Sequence, residues 1–232
     1  MKTIKIAHLY YDLMNLYGEQ GNILALSTAF KRQGLKASVD LLTKDDKMDL
    51  AKYDVIYIGC GSEANQEIVR KDILKHKKAL ENAIKKTTVI ATGNAWELFG
   101  KSIDDKETLG IFDYVSTLSD KRIINEQINK VDFLDMPIVG FQNRGSINNN
   151  TGNDLFEVIK GSGNTKDVKV EGIKVNNFYG TYMIGPLLIR NPHLTDYIVK
   201  NILESKDIAY KEILDTPDYD AYNEFIKNFN IQ

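Results

Sequence analysis

Cys60 is the single thiol of the chain, and three histidines, His8, His76 and His193, are its side chains that titrate near neutrality. A thiolate with a histidine beside it attacks an amide carbon, and the histidine passes the proton to the leaving group. Cys60 stands in Gly59-Cys60-Gly61-Ser62, and His8 closes the first predicted strand. The two approach one another if strands one and three are neighbours, as they are in flavodoxin-like sheets. The competing reading, which the sequence favours, makes Cys60 a small buried side chain at a glycine-like position. His193, in Asn191-Pro192-His193-Leu194, reads as a helix-start residue. His76, among Lys75, Lys77 and Lys78, reads as solvated surface. The histidines show no paired spacing, so no metal site is expected. Backbone N–H groups of the Gly-Cys-Gly-Ser loop can bind an anion where a helix follows. The loop is not a phosphate-binding Gly-x4-Gly-Lys-Ser/Thr motif, so neither a nucleotide nor any other cofactor is expected.

A second constellation lies in Thr88–Gly100, TVIATGNAWELFG. An apolar β-branched run stops at a sharp Gly93-Asn94 turn, and a helix-like segment runs on to Gly100. In an open α/β sheet such a strand-to-helix elbow holds a nucleophile at its apex, with N–H groups ready for an oxyanion. Here the apex residue, Gly93, has no side chain. Glu97, one turn on, can form a polar pocket with Asn94, Trp96 and Arg144; alternatively, Trp96 is core and Glu97 pairs with a surface cation.

The elements that must hold these residues read as an α/β fold, a doubly wound and mostly parallel sheet with added antiparallel strands. Strands are expected over Thr3–Tyr10, Ala37–Leu42, Tyr53–Gly59 and at the elbow, with helices over Asn22–Gly34 and from about Ala64 to Lys85. Beyond Gly100 the spacing predicts short strands at Thr117–Ser119, Arg122–Asn125, Pro137–Phe141, Leu155–Ile159, Val168–Val170 and Gly172–Val175. Leu194–Leu203 reads as an amphipathic helix and Tyr210–Asn228 as one or two terminal helices. No linker or repeat divides residues 1–232, so a single domain is expected, with a helical extension from about residue 205.

With 30 Lys and Arg against 32 Asp and Glu, the net charge of −2 gives no electrostatic case for nucleic acid. No apolar run is long enough for a membrane span. One cysteine excludes an intramolecular disulfide and suits a reducing cytoplasm.

Five segments, taken in order, resemble a known family. These are IAHLYYDLMNLYGEQGN, YDVIYIGCGSEANQE, VIATGNAWELFG, GFQNRGS and FYGTYMIGPLLIRNPHLTD. Together they are similar to class I glutamine amidotransferase domains of the CobB/CobQ-like type. Within that type they resemble the GatD-like subunits that pair with a Mur-ligase-like (MurT-type) protein to amidate lipid II. The resemblance places the family's nucleophilic cysteine at Gly93 and its catalytic histidine at Ile184. The glutamine of the elbow helix falls at Glu97. The family's G-F-E-N-H segment reads Gln142, Asn143, Arg144, and the arginine that usually follows falls near Ile147.

Glycine cannot attack and isoleucine cannot carry a proton, so loss of glutaminase activity is expected. The resemblance further implies a vestigial pocket of Gly59, Cys60, Gly61, Asn94, Trp96, Glu97, Gln142, Asn143, Arg144 and Tyr182, open to a small ligand such as glutamine. Three functions remain: a non-catalytic subunit of a Mur-ligase-like partner in peptidoglycan precursor amidation, an active amidotransferase with Cys60 and His8 as a displaced pair, or a small-molecule sensor.

Overall fold

The strands β3 (Val55–Ile58) and β4 (Thr88–Thr92) are buried at every position. Strands this apolar belong in the middle of a sheet covered on both faces. In the computed structural model, which describes residues 2–150 and 152–228, they do. They pair with each other and are flanked by β1 (Thr3–Leu9) and β2 (Lys36–Leu42) on one side. On the other side lie β12 (Phe178–Thr181) and the antiparallel edge strand β11 (Ile173–Val175). The order is β11-β12-β4-β3-β1-β2, parallel except at β11. Helices α1 (Gln20–Arg32) and α5 (Pro192–Glu204) cover one face, where Leu26, Phe30, Ile198 and Val199 pack on Ile6, Tyr57 and Ile90. Helices α2 (Glu63–Ile73) and α3 (Lys77–Ala83) cover the other, with Val69 and Leu80 against Ile56 and Val89.

The helix expected from Ala64 to Lys85 is thus two helices. Ser62 caps the first, accepting from the Asn65 N–H at 3.2 Å. The chain tightens into a 3-10 turn just after Asp72, whose carboxylate is drawn inward by Tyr10 (3.1 Å) and Lys75 (2.7 Å).

A second sheet, in the order β10-β9-β7-β5-β6 with β8 paired to β7, stands beside the first. It contains β5 (Ser102–Ile103), β6 (Lys106–Glu107), β7 (Val115–Val131), β8 (Leu134–Asn148), β9 (Phe156–Lys160) and β10 (Val170–Glu171). Its antiparallel pairings agree with expectation, but β7 and β8 are longer than predicted. Thr117–Ser119 and Arg122–Asn125 are halves of one strand, β7, separated by a register shift between Leu118 and Ile123 rather than by a turn. Pro137, which has no N–H to donate, falls in β8 beside the second register shift, between Asn129 and Val131.

After the short helix α4 (Leu187–Arg190) and α5, residues 208–215 form no helix or strand, and α6 (Pro217–Asn228) begins at a proline. The helix α6 is fastened by the Arg32–Asp218 ion pair (2.6 Å) and by the Tyr222 hydroxyl donating to the Pro137 carbonyl (2.6 Å). Among the described residues, no helix is long and apolar enough to cross a membrane.

Candidate functional site

The elbow forms where predicted. β4 ends at Thr92, and Gly93 turns the chain with φ +59° into a 3-10 helix, Gly93–Phe99. That left-handed conformation is costly for any residue with a Cβ. A Cβ on Gly93 would lie 2.6 Å from the Cys60 Sγ and 3.0 Å from Ile184 Cγ2. Cys60 follows β3 and Ile184 follows β12, the two strands that flank β4. The three chain ends therefore meet, and the neighbours' side chains fill the apex.

Cys60 is buried, and burial, reinforced by the nearby Glu19 charge, pushes its thiol up to about 12. The thiol is therefore neutral. Its Sγ–H faces the Gly61 carbonyl at 3.7 Å. His8 does lie on the strand next to β3, in register with Tyr57. Its ring stands edge-on to Tyr57 at 5.3 Å and to Tyr11 at 6.4 Å, and its Nε2 has no hydrogen-bond partner. Burial lowers the imidazole to about 4. Among the described residues, no hydrogen bond or ring contact joins His8 to Cys60. The predicted pair shares neighbouring strands without forming a dyad, because the His8 side chain packs against Tyr57.

A cluster that the sequence reading missed locks the elbow from behind. Glu19, fully buried, accepts from the Tyr57 hydroxyl (2.6 Å) and from the Thr92 hydroxyl. Tyr57 also contacts Thr92 Oγ1 (2.7 Å) and accepts from Asn22 Nδ2 (2.7 Å). Burial raises the Glu19 pKa, while these hydroxyls and the Gly185 and Cys60 N–H groups pull it back. Glu19 lies within the N-terminal segment IAHLYYDLMNLYGEQGN, so a signal existed, but nothing in its spacing marked it as inward-facing.

In front of the elbow lies a cavity of about 20 Å³, room for roughly one water. Of the ten pocket residues expected, Cys60, Gly61, Asn94, Glu97, Asn143 and Arg144 line it. Gly59, Trp96, Gln142 and Tyr182 do not. Gly59 backs onto Glu19 and Met14, and Trp96 is packed between Tyr114 (4.9 Å) and Tyr182 (5.0 Å). Gln142 Oε1 accepts from Arg144 Nε at 3.0 Å.

Glu97 does not pair with a surface cation. It is buried and accepts from Gln66 Nε2 (2.7 Å), the Tyr182 hydroxyl (2.8 Å) and the Ser146 hydroxyl. Burial raises its pKa against those bonds and the attraction of Arg144. Arg144, also buried, lays its guanidinium over the Tyr182 ring at 3.9 Å and donates to the carbonyls of Ser146, Gly163 and Asn164. Gln66 and Ser146 were absent from the predicted set.

The anion-binding reading of the Gly-Cys-Gly-Ser loop is corrected in part. The Gly61 N–H already donates to Asn94 Oδ1 (3.0 Å), and Asn94 Nδ2 returns a bond to the Gly61 carbonyl (3.0 Å). His76 is half-buried, 3.9 Å from Asp72, rather than solvated. His193 is the second residue of α5, as expected, and is buried. Among the described residues, no group of three or more His, Cys, Asp or Glu side chains converges as a metal site.

The profile of the CobB/CobQ-like glutamine amidotransferase domain matches residues 5–192. Two relatives named as the GatD subunit of lipid II isoglutaminyl synthase (glutamine-hydrolyzing) are similar over nearly the whole chain. That of Staphylococcus aureus strain N315 is 30% identical, with 100% of this chain and 98% of the relative covered. That of Streptococcus pneumoniae strain ATCC BAA-255/R6 is 31% identical, with coverage of 95% and 91%. Among solved structures, a glutamine amidotransferase aligns with TM-score 0.56 at 14% identity, covering 88% of this chain and 99% of its own. The glutaminase domain of Trypanosoma brucei CTPS, solved with acivicin bound, aligns with TM-score 0.53 at 8% identity, covering 90% and 96%. At these identities the two structures speak to the fold.

Proposed function

The chain belongs to the CobB/CobQ-like glutamine amidotransferase domain family, and from that premise we propose that it is a GatD-like subunit without glutaminase activity. In this reading it serves a Mur-ligase-like (MurT-type) partner in the amidation of the peptidoglycan precursor lipid II. The observation that carries the proposal is the elbow apex. Gly93 stands where the resemblance puts the nucleophile, and Cys60 and Ile184 fill the space around it.

Hydrolysis of glutamine on this fold needs a thiolate at the elbow and a histidine to protonate the departing ammonia. Loss of one member of such a pair removes about three or more orders of magnitude in rate. Here both positions lack the required chemistry, and the cavity in front of them, about 20 Å³, has room for about one water and not for an amino acid. What the chain retains is the scaffold, from the elbow to the Gly180–Pro186 stretch, and this supports a structural or regulatory role. The partner would then draw on free ammonia.

The test is glutamate release from glutamine by the purified chain, alone and with the Mur-ligase-like protein of the same organism, alongside a measurement of their association. Release at background with micromolar association is the expected result. Release by the chain alone, or no association, overturns it.

One observation favours a second reading, an active amidotransferase using Cys60. Its Sγ lies within 2.6 Å of where a Cβ on residue 93 would stand. Against it are a thiol held at about 12 and a His8 ring engaged elsewhere. Thiol-dependent turnover abolished by Cys60→Ser would establish it.

A further inference from the structure

Away from the elbow, a groove of about 820 Å³ lies between the tip of the β7–β8 hairpin, the outer side of α5 and the segment leading to α6. This lies toward the upper end of the range of about 300–1,000 Å³ for ligand sites. It shares no lining residue with the elbow cavity, and apart from the hairpin tip it is built from chain beyond residue 192, where the family match stops.

Three features of the groove point to one kind of occupant. The first is charge. Asp135, Asp196, Glu204 and Glu212 line it against Lys200 alone, and Lys200 is already 3.9 Å from Glu204. Asp196 is occupied by the Tyr219 hydroxyl (2.9 Å), which leaves the acids on the three walls facing a shared space. The second is aromatic surface. Phe133 and Tyr197 stack at 4.2 Å, and Tyr210 and Tyr219 line the same groove. Such faces hold cations, as Phe133 already does for Lys174 at 5.4 Å.

The third is unused hydrogen-bonding capacity. On the floor His193 is 4% exposed, burial lowers its imidazole to about 4 against the smaller opposing influence of the Pro137 and Met136 carbonyls, and neither ring nitrogen has a hydrogen-bond partner. Tyr222 presses edge-on against the ring at 4.7 Å. Along one wall, the main chain of Ala209, Tyr210, Glu212 and Ile213 makes no hydrogen bond among the described residues, while the N–H and C=O of Lys211 between them are held by the Gln33 side chain (2.8 Å each). Free N–H and C=O groups on either side of that tether can pair with another extended chain, while side-chain subsites read its sequence.

We propose that this groove docks an extended segment of the partner subunit carrying several Lys or Arg residues, with its cations at Asp135, Glu204 and Glu212 and its main chain beside residues 209–213. The proposal rests on the reading of the chain as a subunit. Acids spread over three walls, rather than converging on a point, suit a segment with more than one cation better than a single small ion.

The experiment is sedimentation of the full chain with the Mur-ligase-like protein of the same organism, for wild type, Glu204→Lys/Glu212→Lys, and a control of equal charge change, Glu107→Lys/Asp167→Lys. All four positions are exposed, and far-UV circular dichroism checks that each variant folds. The expected result is association weakened at least about tenfold by the groove pair, equivalent to about 1.4 kcal/mol or more, and left intact by the control. Association insensitive to the groove pair, or equally sensitive to the control, overturns the docking site and leaves the subunit reading standing. No association of the wild type overturns both. Saturable binding of free arginine to the groove without any effect on the complex assigns it to a small cation and also overturns the proposal.

Discussion

Gly93 and Cys60 share one volume. The Sγ of Cys60 lies 2.6 Å from the point where a Cβ on Gly93 would stand, so the two positions cannot both carry a side chain in this backbone. Gly93 takes a left-handed φ of +59° at this elbow and has no side-chain atom to present there.

Gly93→Ala is therefore expected to destabilise the chain by about 2–5 kcal/mol, combining overpacking of about 1–3 kcal/mol with left-handed strain of about 1–2 kcal/mol. Placing the same change in a Cys60→Gly background relieves the overpacking and leaves the strain. A double-mutant cycle in urea should read a favourable coupling of about 1–3 kcal/mol between the two sites. Additivity within about 0.5 kcal/mol would mean that the two side chains do not compete.

Cys60 should also be slow to alkylate. A thiol held at about 12 by burial has roughly a thousandth of the thiolate of an ordinary cysteine near pH 8. Iodoacetamide should label the native chain about three orders of magnitude more slowly than glutathione, and at the free-thiol rate in denaturant. Fast native labelling, followed by mass spectrometry, would place the thiol in an activated environment and favour the displaced-nucleophile reading.

Much of this was legible in the sequence where local pattern decides the outcome. Val89 to Ala91 and the Gly93 turn announced a buried strand and elbow, and the all-apolar Val55–Ile58 announced a central strand. The pattern misled where long-range packing wins. Asp120 and Lys121 look like a break between two strands, yet the register shift lets β7 continue through them. The helix expected to reach Lys85 breaks just after Asp72, whose carboxylate is held by Tyr10 on β1's C-terminal side, a partner 62 residues away that no helical periodicity reveals. The competition between Cys60 and Gly93 was invisible for a similar reason, since the two meet only when β3 and β4 lie side by side. Arg144 was anticipated in the pocket, but not that its donors would end on the carbonyls of residues 146, 163 and 164.

The buried Glu97 separates shape from charge. Glu97→Ala strips the acceptor from Gln66, Tyr182 and Ser146 and removes the carboxyl group that faces Arg144. Breaking a buried charged network of this sort costs about 3–5 kcal/mol. Glu97→Gln keeps the volume and an acceptor oxygen and should cost about 1–2 kcal/mol. Equal losses for the two variants, measured by urea denaturation, would show that the carboxylate's hydrogen-bonded shape contributes little.

Glu171 is expected to give the fold a pH dependence whose sign follows from its burial. Its carboxyl, buried and accepting from the Thr181 hydroxyl (2.6 Å) and the Tyr182 N–H (2.6 Å), is pushed by burial from 4.5 to about 7. Between those two values the folded chain keeps a proton that the unfolded chain releases. Folding is therefore most favoured by this group below about pH 4.5, loses stability as pH rises toward 7, and levels off above. At about 1.4 kcal/mol per unit the full loss approaches about 3 kcal/mol. Glu19 and Glu97 are raised by burial as well and slope in the same sense, so the readout is a difference. The stability of wild type relative to Glu171→Gln, from urea titrations, should be about 2 kcal/mol more favourable at pH 5 than at pH 8. A difference that does not change with pH would mean that Glu171 titrates in the folded chain as it does in the unfolded one.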